Sequence, residues 1–138
     1  MTPKDHDIFF CSLCLWREAR GESHDVKSGV AWVIRNRVMN PRWWGKNWIA
    51  VVTKPWQFSG MTGAGDANLI KFPNPSSTAD WNSWLDCVGT MQGVYEGQIS
   101  DPTQEATYYH DVSIEKPDSW GEVKKTVALG RLIFYKDN

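Results

Sequence analysis

Two glutamates four residues apart, Glu18 and Glu22, lie in the run Arg17-Glu18-Ala19-Arg20-Gly21-Glu22. A carboxyl group so placed can donate a proton. Upstream, Ile8, Phe9, Leu13 and Trp16 recur at helical spacing, and nothing between Lys4 and Arg20 breaks a helix. Glu18 is therefore expected in the last turn of a mostly buried helix that Gly21 stops. There the negative end of the helix macrodipole and the apolar neighbours both favour the protonated form, which makes a general acid near neutral pH. The competing reading pairs Glu18 with Arg17 or Arg20 and leaves it without chemistry. Gly21 frees Glu22 from sharing a face with Glu18, so Glu22 reads as a cap or orienting group for the next helix. A conventional glycosidase needs two carboxylates. Asp25, Asp66 and Asp80 are candidates for the second, none in a distinctive setting.

The elements that must hold these groups follow from periodicity. The first helix is expected over about 3 to 20, with Thr2 as N-cap, Pro3 at the first helical position and Asp5 completing a capping box. A second carries the stripe Val26, Val30, Val33, Ile34 and Val38, with Lys27, Arg35 and Arg37 on the other side, and ends at Asn40-Pro41. From Pro41 to Pro75 the pattern weakens: Trp43, Trp44, Trp48 and Trp56 alternate with Gly, Pro and Lys, around one helical patch at Trp48 to Val52. Gly60, Gly63 and Gly65 mark a flexible loop. So long an irregular section inside one compact domain reads as functional. One or two of its tryptophans should face a cleft while the others pack.

A third long helix is expected from Thr78 to Tyr95, capped by Ser77 or Thr78, with Trp81, Trp84, Leu85, Val88, Met91 and Tyr95 on one face and the two tryptophans in the core. Beyond Pro102 the period falls towards two, and strands are expected over 106–112, 123–127 and 132–135. Helices followed by a small antiparallel sheet give an α+β fold in a single domain over residues 1–138.

With 15 basic and 16 acidic residues the net charge is near zero, which offers nothing to nucleic acid or an anionic membrane surface. Nine tryptophans are the outlier; such flat faces stack on sugars as well as fill cores. No apolar run is long enough to span a membrane, and the first residues lack the design of a signal peptide, so synthesis in the cytoplasm is expected. Cys11 and Cys14 form a C-x-x-C within a helix rather than after a strand. Cys87 and the histidines are scattered, so buried apolar thiols are expected in place of a redox or metal site.

In order along the chain stand Glu18-Ala19-Arg20-Gly21-Glu22, Val33 with Asn36-Arg37-Val38 and Pro41, and Gln57-Phe58-Ser59. Ala106-Thr107 with Tyr109-His110, Pro117, Trp120, and Gly130 with Phe134-Tyr135 follow. This series resembles the cell wall hydrolase family typified by the catalytic domain of spore cortex-lytic enzymes, over about residues 8 to 136. The resemblance implies a mostly helical fold related to lysozyme and resuscitation-promoting factors, acting on peptidoglycan glycan strands. It makes Glu18 the catalytic acid of a lytic transglycosylase cutting between N-acetylmuramic acid and N-acetylglucosamine without water. The muramic 6-hydroxyl would then replace the missing second carboxylate.

Substrate contacts are expected from Glu22, Trp56, Gln57, Phe58, Ser59, Tyr109 and His110. Phe58 divides between core and contact, and the Tyr109-His110 pair between touching substrate and orienting Glu18. No cofactor or metal is implied, and a monomer is expected. A wall enzyme made in the cytoplasm would reach its substrate by lysis, a holin-type pore or particle delivery, as in phage. Two positions depart from the family pattern: Leu132 stands where a histidine is frequent, and Asp111 replaces a small residue and puts an extra acid near the cleft. The alternatives are a water-using muramidase or glucosaminidase with a second carboxylate, and a wall-binding module without catalysis.

Overall fold

A computed structural model describes all 138 residues. Helix α1 spans Pro3–Ala19 and opens with the expected capping box, in which Thr2 Oγ1 accepts the Asp5 N–H and the Asp5 carboxylate accepts the Thr2 N–H. Helix α2 spans His24–Met39. Its N-cap is Ser23, whose hydroxyl accepts the Val26 N–H, so Glu22 is not the cap. Short helices α3 (Trp48–Val52) and α4 (Ser59–Thr62) and a 3₁₀ turn (Ala67–Ile70) follow. The stretch expected as a flexible glycine loop is thus partly helical. Helix α5 spans Thr78–Tyr95 under a Ser77 cap.

Helices α1, α2, α3 and α5 enclose the main core, in which Leu15, Trp16, Ile34, Trp44, Val51 and Met91 are buried. Truncating a side chain such as Leu15 to alanine in a packed core costs about 2–5 kcal/mol. Two expectations about helix faces are corrected. Trp81 and Leu85 are exposed at 37% and 52%, and Trp84 is half-buried with its edge against Phe9. The inner face of α5 is instead lined by Cys87, Thr90, Met91 and Val94. On α2, Lys27 and Arg37 are buried rather than outward. Lys27 pairs with Asp86 at 2.7 Å, while Arg35 donates to the Val94 and Tyr95 carbonyls and closes the end of α5. Both buried cations lie on the stripe itself, since 27, 30 and 34 and then 30, 33, 34 and 37 share a helical face.

Strands β1 (Tyr108–Asp111), β2 (Val123–Leu129) and β3 (Leu132–Asp137) form an antiparallel sheet in the order β1-β3-β2. β1 is shorter than the strand expected over 106–112. Helix α2 backs this sheet closely: a Cβ on Gly29 would stand 2.8 Å from the ring of Phe134. The same helix pins the entry to β1, with Asn36 Nδ2 donating to Ala106 O and Arg37 Nε to Thr107 O. The end of α1, the irregular section and β1 are thereby brought to one groove. No helix is long and apolar enough to cross a membrane.

Candidate active site

The groove has a volume of about 760 Å³, within the range of ligand clefts. Glu18 enters it from the end of α1, and Trp56, Gln57, Phe58 and Ser59 come from the irregular section. Tyr109 and His110 come from β1, and Pro117 and Trp120 from the segment before β2. Glu18 is the only carboxylate lining it, and Arg37 the only arginine or lysine. Seven of the eight expected site residues meet here. Glu22 does not: it is exposed beyond the end of α1 and lines no part of the groove.

Glu18 Oε1 accepts the backbone N–H of Gly60 at 3.0 Å. Neither flanking arginine pairs with it. Arg17 donates Nε to Lys71 O at 3.0 Å and Nη1 to Gly60 O at 3.1 Å, over the ring of Phe72. Arg20 donates to the Trp16 and Arg17 carbonyls and to Asn68 Oδ1. Both cations therefore strap the segment from Gly60 to Lys71 onto the end of α1, and Glu18 is left without a counter-ion. Burial pushes its carboxyl above the usual range, the Gly60 N–H pulls it back, and the charge of Asp66 adds to the rise. Asp66 is itself held ionised by the Asn68 N–H at the start of the 3₁₀ turn and does not line the groove. Asp25 and Asp80 do not line it either.

Burial raises the Tyr109 hydroxyl far above its usual range, with Glu18 nearby adding to the effect, so the phenol stays protonated as a donor. It has no hydrogen-bond partner within the protein. His110 is fully engaged: Nδ1 donates to Asp111 O at 2.8 Å, Nε2 shares a hydrogen bond with the Tyr135 hydroxyl at 3.0 Å, and the ring stacks on Tyr135. It walls the groove and makes no hydrogen bond to Glu18. Asp111 is not an acid of the cleft, because Arg131 and the Ser113 N–H bind it and push it down to about 2. Leu132 packs against the core.

The tryptophans of the irregular section divide as expected. Trp44 and Trp48 are buried, whereas Trp43 and Trp56 face the groove at 46% and 90% exposure. Trp56 holds its indole out from a backbone at φ +70°, a conformation that costs a non-glycine residue about 1–2 kcal/mol. Phe58 is both core and lining, 2% exposed with one edge on the groove. Ser59 is exposed at the start of α4. The cysteines are buried and free, and burial holds their thiols well above the usual range, Cys87 at about 11.

The groove residue that sequence reasoning misplaced is Arg37. The spacing from Val30, Val33 and Ile34 carries its signal, which the charge of the side chain masks by suggesting an outward face.

A helical body with a small sheet thus frames a groove around one carboxylate that has no counter-ion. The sequence model of the family described as Cell Wall Hydrolase matches residues 21–135, and the chain belongs to that family. The matched span begins three residues past Glu18. Among solved structures, the chain is similar to the catalytic domain of the germination-specific lytic transglycosylase SleB from Bacillus anthracis. The identity is 23% and the TM-score 0.72, with 99% of this chain and 97% of that one covered. It is also similar to the catalytic domain of the Bacillus cereus SleB protein, at 25% identity and a TM-score of 0.64, covering 96% and 91%. The search of curated proteins gives no match.

Proposed function

We propose that the protein cleaves peptidoglycan glycan strands between N-acetylmuramic acid and N-acetylglucosamine as a lytic transglycosylase, with Glu18 as acid and then base. The observation that carries this reading is the solitude of Glu18: it is the one groove-lining carboxylate, and no cation pairs with it. The groove offers no second carboxylate to act as nucleophile or to activate a water, which favours a nucleophile supplied by the substrate itself.

Glu18 passes its proton to the bridging oxygen as the bond from that oxygen to the muramic anomeric carbon breaks. The resulting carboxylate keeps the Gly60 N–H, which stabilises the charge it has just acquired. The muramic 6-hydroxyl closes on the anomeric carbon and gives its proton to Glu18. The acid is restored, no water is consumed, and the muramic end is a 1,6-anhydro ring. Trp56 and Trp43 offer faces for sugar rings, and Tyr109, Gln57 and Ser59 offer hydrogen bonds to hydroxyl and acetamido groups.

The family membership, the fold likeness to a lytic transglycosylase domain and the lone acid support this reading. Purified protein should lower the turbidity of a peptidoglycan suspension, and Glu18→Gln should abolish this while still folding. Full activity in that variant would refute the assignment.

A further inference from the structure

Arg37 is 5% exposed, yet no carboxylate pairs with it. The ion pairs of the chain join Lys4 to Glu96, Lys27 to Asp86, Arg42 to Asp137, Arg131 to Asp111 and Lys136 to Glu105. Lys27, the other deeply buried cation outside the Glu18 strap, thus has its acid. A buried charge without a partner is costly, and Arg37 is left with only partial compensation. Nε donates to Thr107 O at 2.7 Å and Nη1 to Gln57 Oε1 at 3.1 Å, while the rings of Trp43, Trp44, Phe58 and Tyr108 surround the guanidinium at 5.3–5.9 Å. Burial lowers its pKa to about 10, and the groups that act on its charge are tyrosines and a thiol.

Those contacts explain a tie between α2 and β1, but they leave Nη2 unused. The buried side-chain polar atoms without partners are Ser12 Oγ and Thr107 Oγ1 only. Nη2, also without a partner, therefore keeps accessible surface, and the cavity that Arg37 lines is the groove. Arginine can only donate, so Gln57 must turn its oxygen to Nη1, which leaves its own NH₂ free beside the guanidinium. Two donor groups and no acceptor stand together at a groove wall. That set matches a carboxylate.

We propose that Arg37 and Gln57 form a carboxylate-binding subsite, which seats an acidic group of the wall glycan and makes the groove selective for acidic over neutral strands. This deepens the peptidoglycan reading and rests on it. The carboxylate has two sources: the lactyl ether of a peptide-free muramic sugar, or the peptide stem attached there.

The test compares wild-type kcat/KM on three soluble strands: peptide-free with free lactyl carboxylates, the same strands with those groups blocked as methylamides, and peptide-bearing strands. At least one acidic strand should exceed the blocked one by about tenfold to a hundredfold, as expected for a charge-assisted hydrogen bond. Preference for the peptide-free strand assigns the lactyl group, and preference for the peptide-bearing strand assigns the stem. Equal rates on all three overturn the subsite while leaving glycan cleavage standing. No cleavage of any strand overturns both.

A second variant avoids removing the buried cation. Gln57→Glu supplies the missing counter-ion from within, so it should melt no lower than wild type and lose the preference for acidic strands. An undiminished preference in that variant contradicts the proposal.

Discussion

Gly60 donates its N–H to Glu18 Oε1 at 3.0 Å, and a Cβ added at Gly60 would lie 3.4 Å from that oxygen and 3.0 Å from Arg17 Cβ. The residue is a glycine because the backbone of α4 must come this close to the acid. Gly60→Ala should force a displacement of a few tenths of an ångström, lengthening the hydrogen bond and cutting the rate by about tenfold. That bond lowers the Glu18 pKa, so weakening it raises the pKa. The fall in rate on the alkaline side should then move to higher pH. A profile unchanged in position would separate Gly60 from the acid.

Arg17 acts on the same contact from the other side. Its guanidinium holds the carbonyls of Gly60 and Lys71, so Arg17→Met leaves both without their charged donor. A loss of about 2–3 kcal/mol in stability is expected, measured by urea unfolding, together with a lower kcat. Arg17→Lys should recover part of the stability and less of the activity, because one ammonium cannot span both carbonyls.

The stability of the protein should itself report Glu18. Burial raises the folded-state pKa above the unfolded value, so the folded state binds this proton more tightly. The contribution of the protonated carboxyl is fully present below the unfolded pKa and is lost as pH rises through the folded one. Glu18→Gln keeps an oxygen for the Gly60 N–H but has no proton to lose. Its melting temperature should match wild type in acid and exceed it at neutral pH. A variant less stable than wild type at neutral pH would contradict the assigned burial.

Trp56 combines a left-handed backbone with 90% exposure, so the fold gains little from the indole and bears its strain. Asparagine tolerates that conformation. Trp56→Asn should melt at or above the wild-type temperature while KM rises about fivefold, the equivalent of about 1 kcal/mol of stacking. A drop in melting temperature with unchanged KM would make Trp56 a structural residue.

These sites differ in how far the sequence alone discloses them. Helices α1 and α5 are legible nearly to the residue, because Thr2, Asp5 and Ser77 are caps whose chemistry is local. Glu18 is legible for the same reason, as its place follows from the period upstream and Gly21 downstream. Arg37 is not, because its burial depends on rings supplied by Trp43, Phe58 and Tyr108 from three separate segments. Trp81 shows the converse error: it lies on an apolar stripe of α5, yet its indole is exposed, and the face turned inward is that of Cys87, Thr90, Met91 and Val94. Gly60 reads as part of a flexible loop in sequence, whereas its role is the close approach to Glu18, a contact across 42 residues of chain.

The central claim, a proton from Glu18 and a nucleophile from the sugar itself, is tested most directly by digesting peptidoglycan in water enriched in heavy oxygen and weighing the new muramic ends. The account predicts ends lighter by one water than reducing ends, with no heavy oxygen incorporated. Reducing muramic ends carrying the heavy isotope would contradict it.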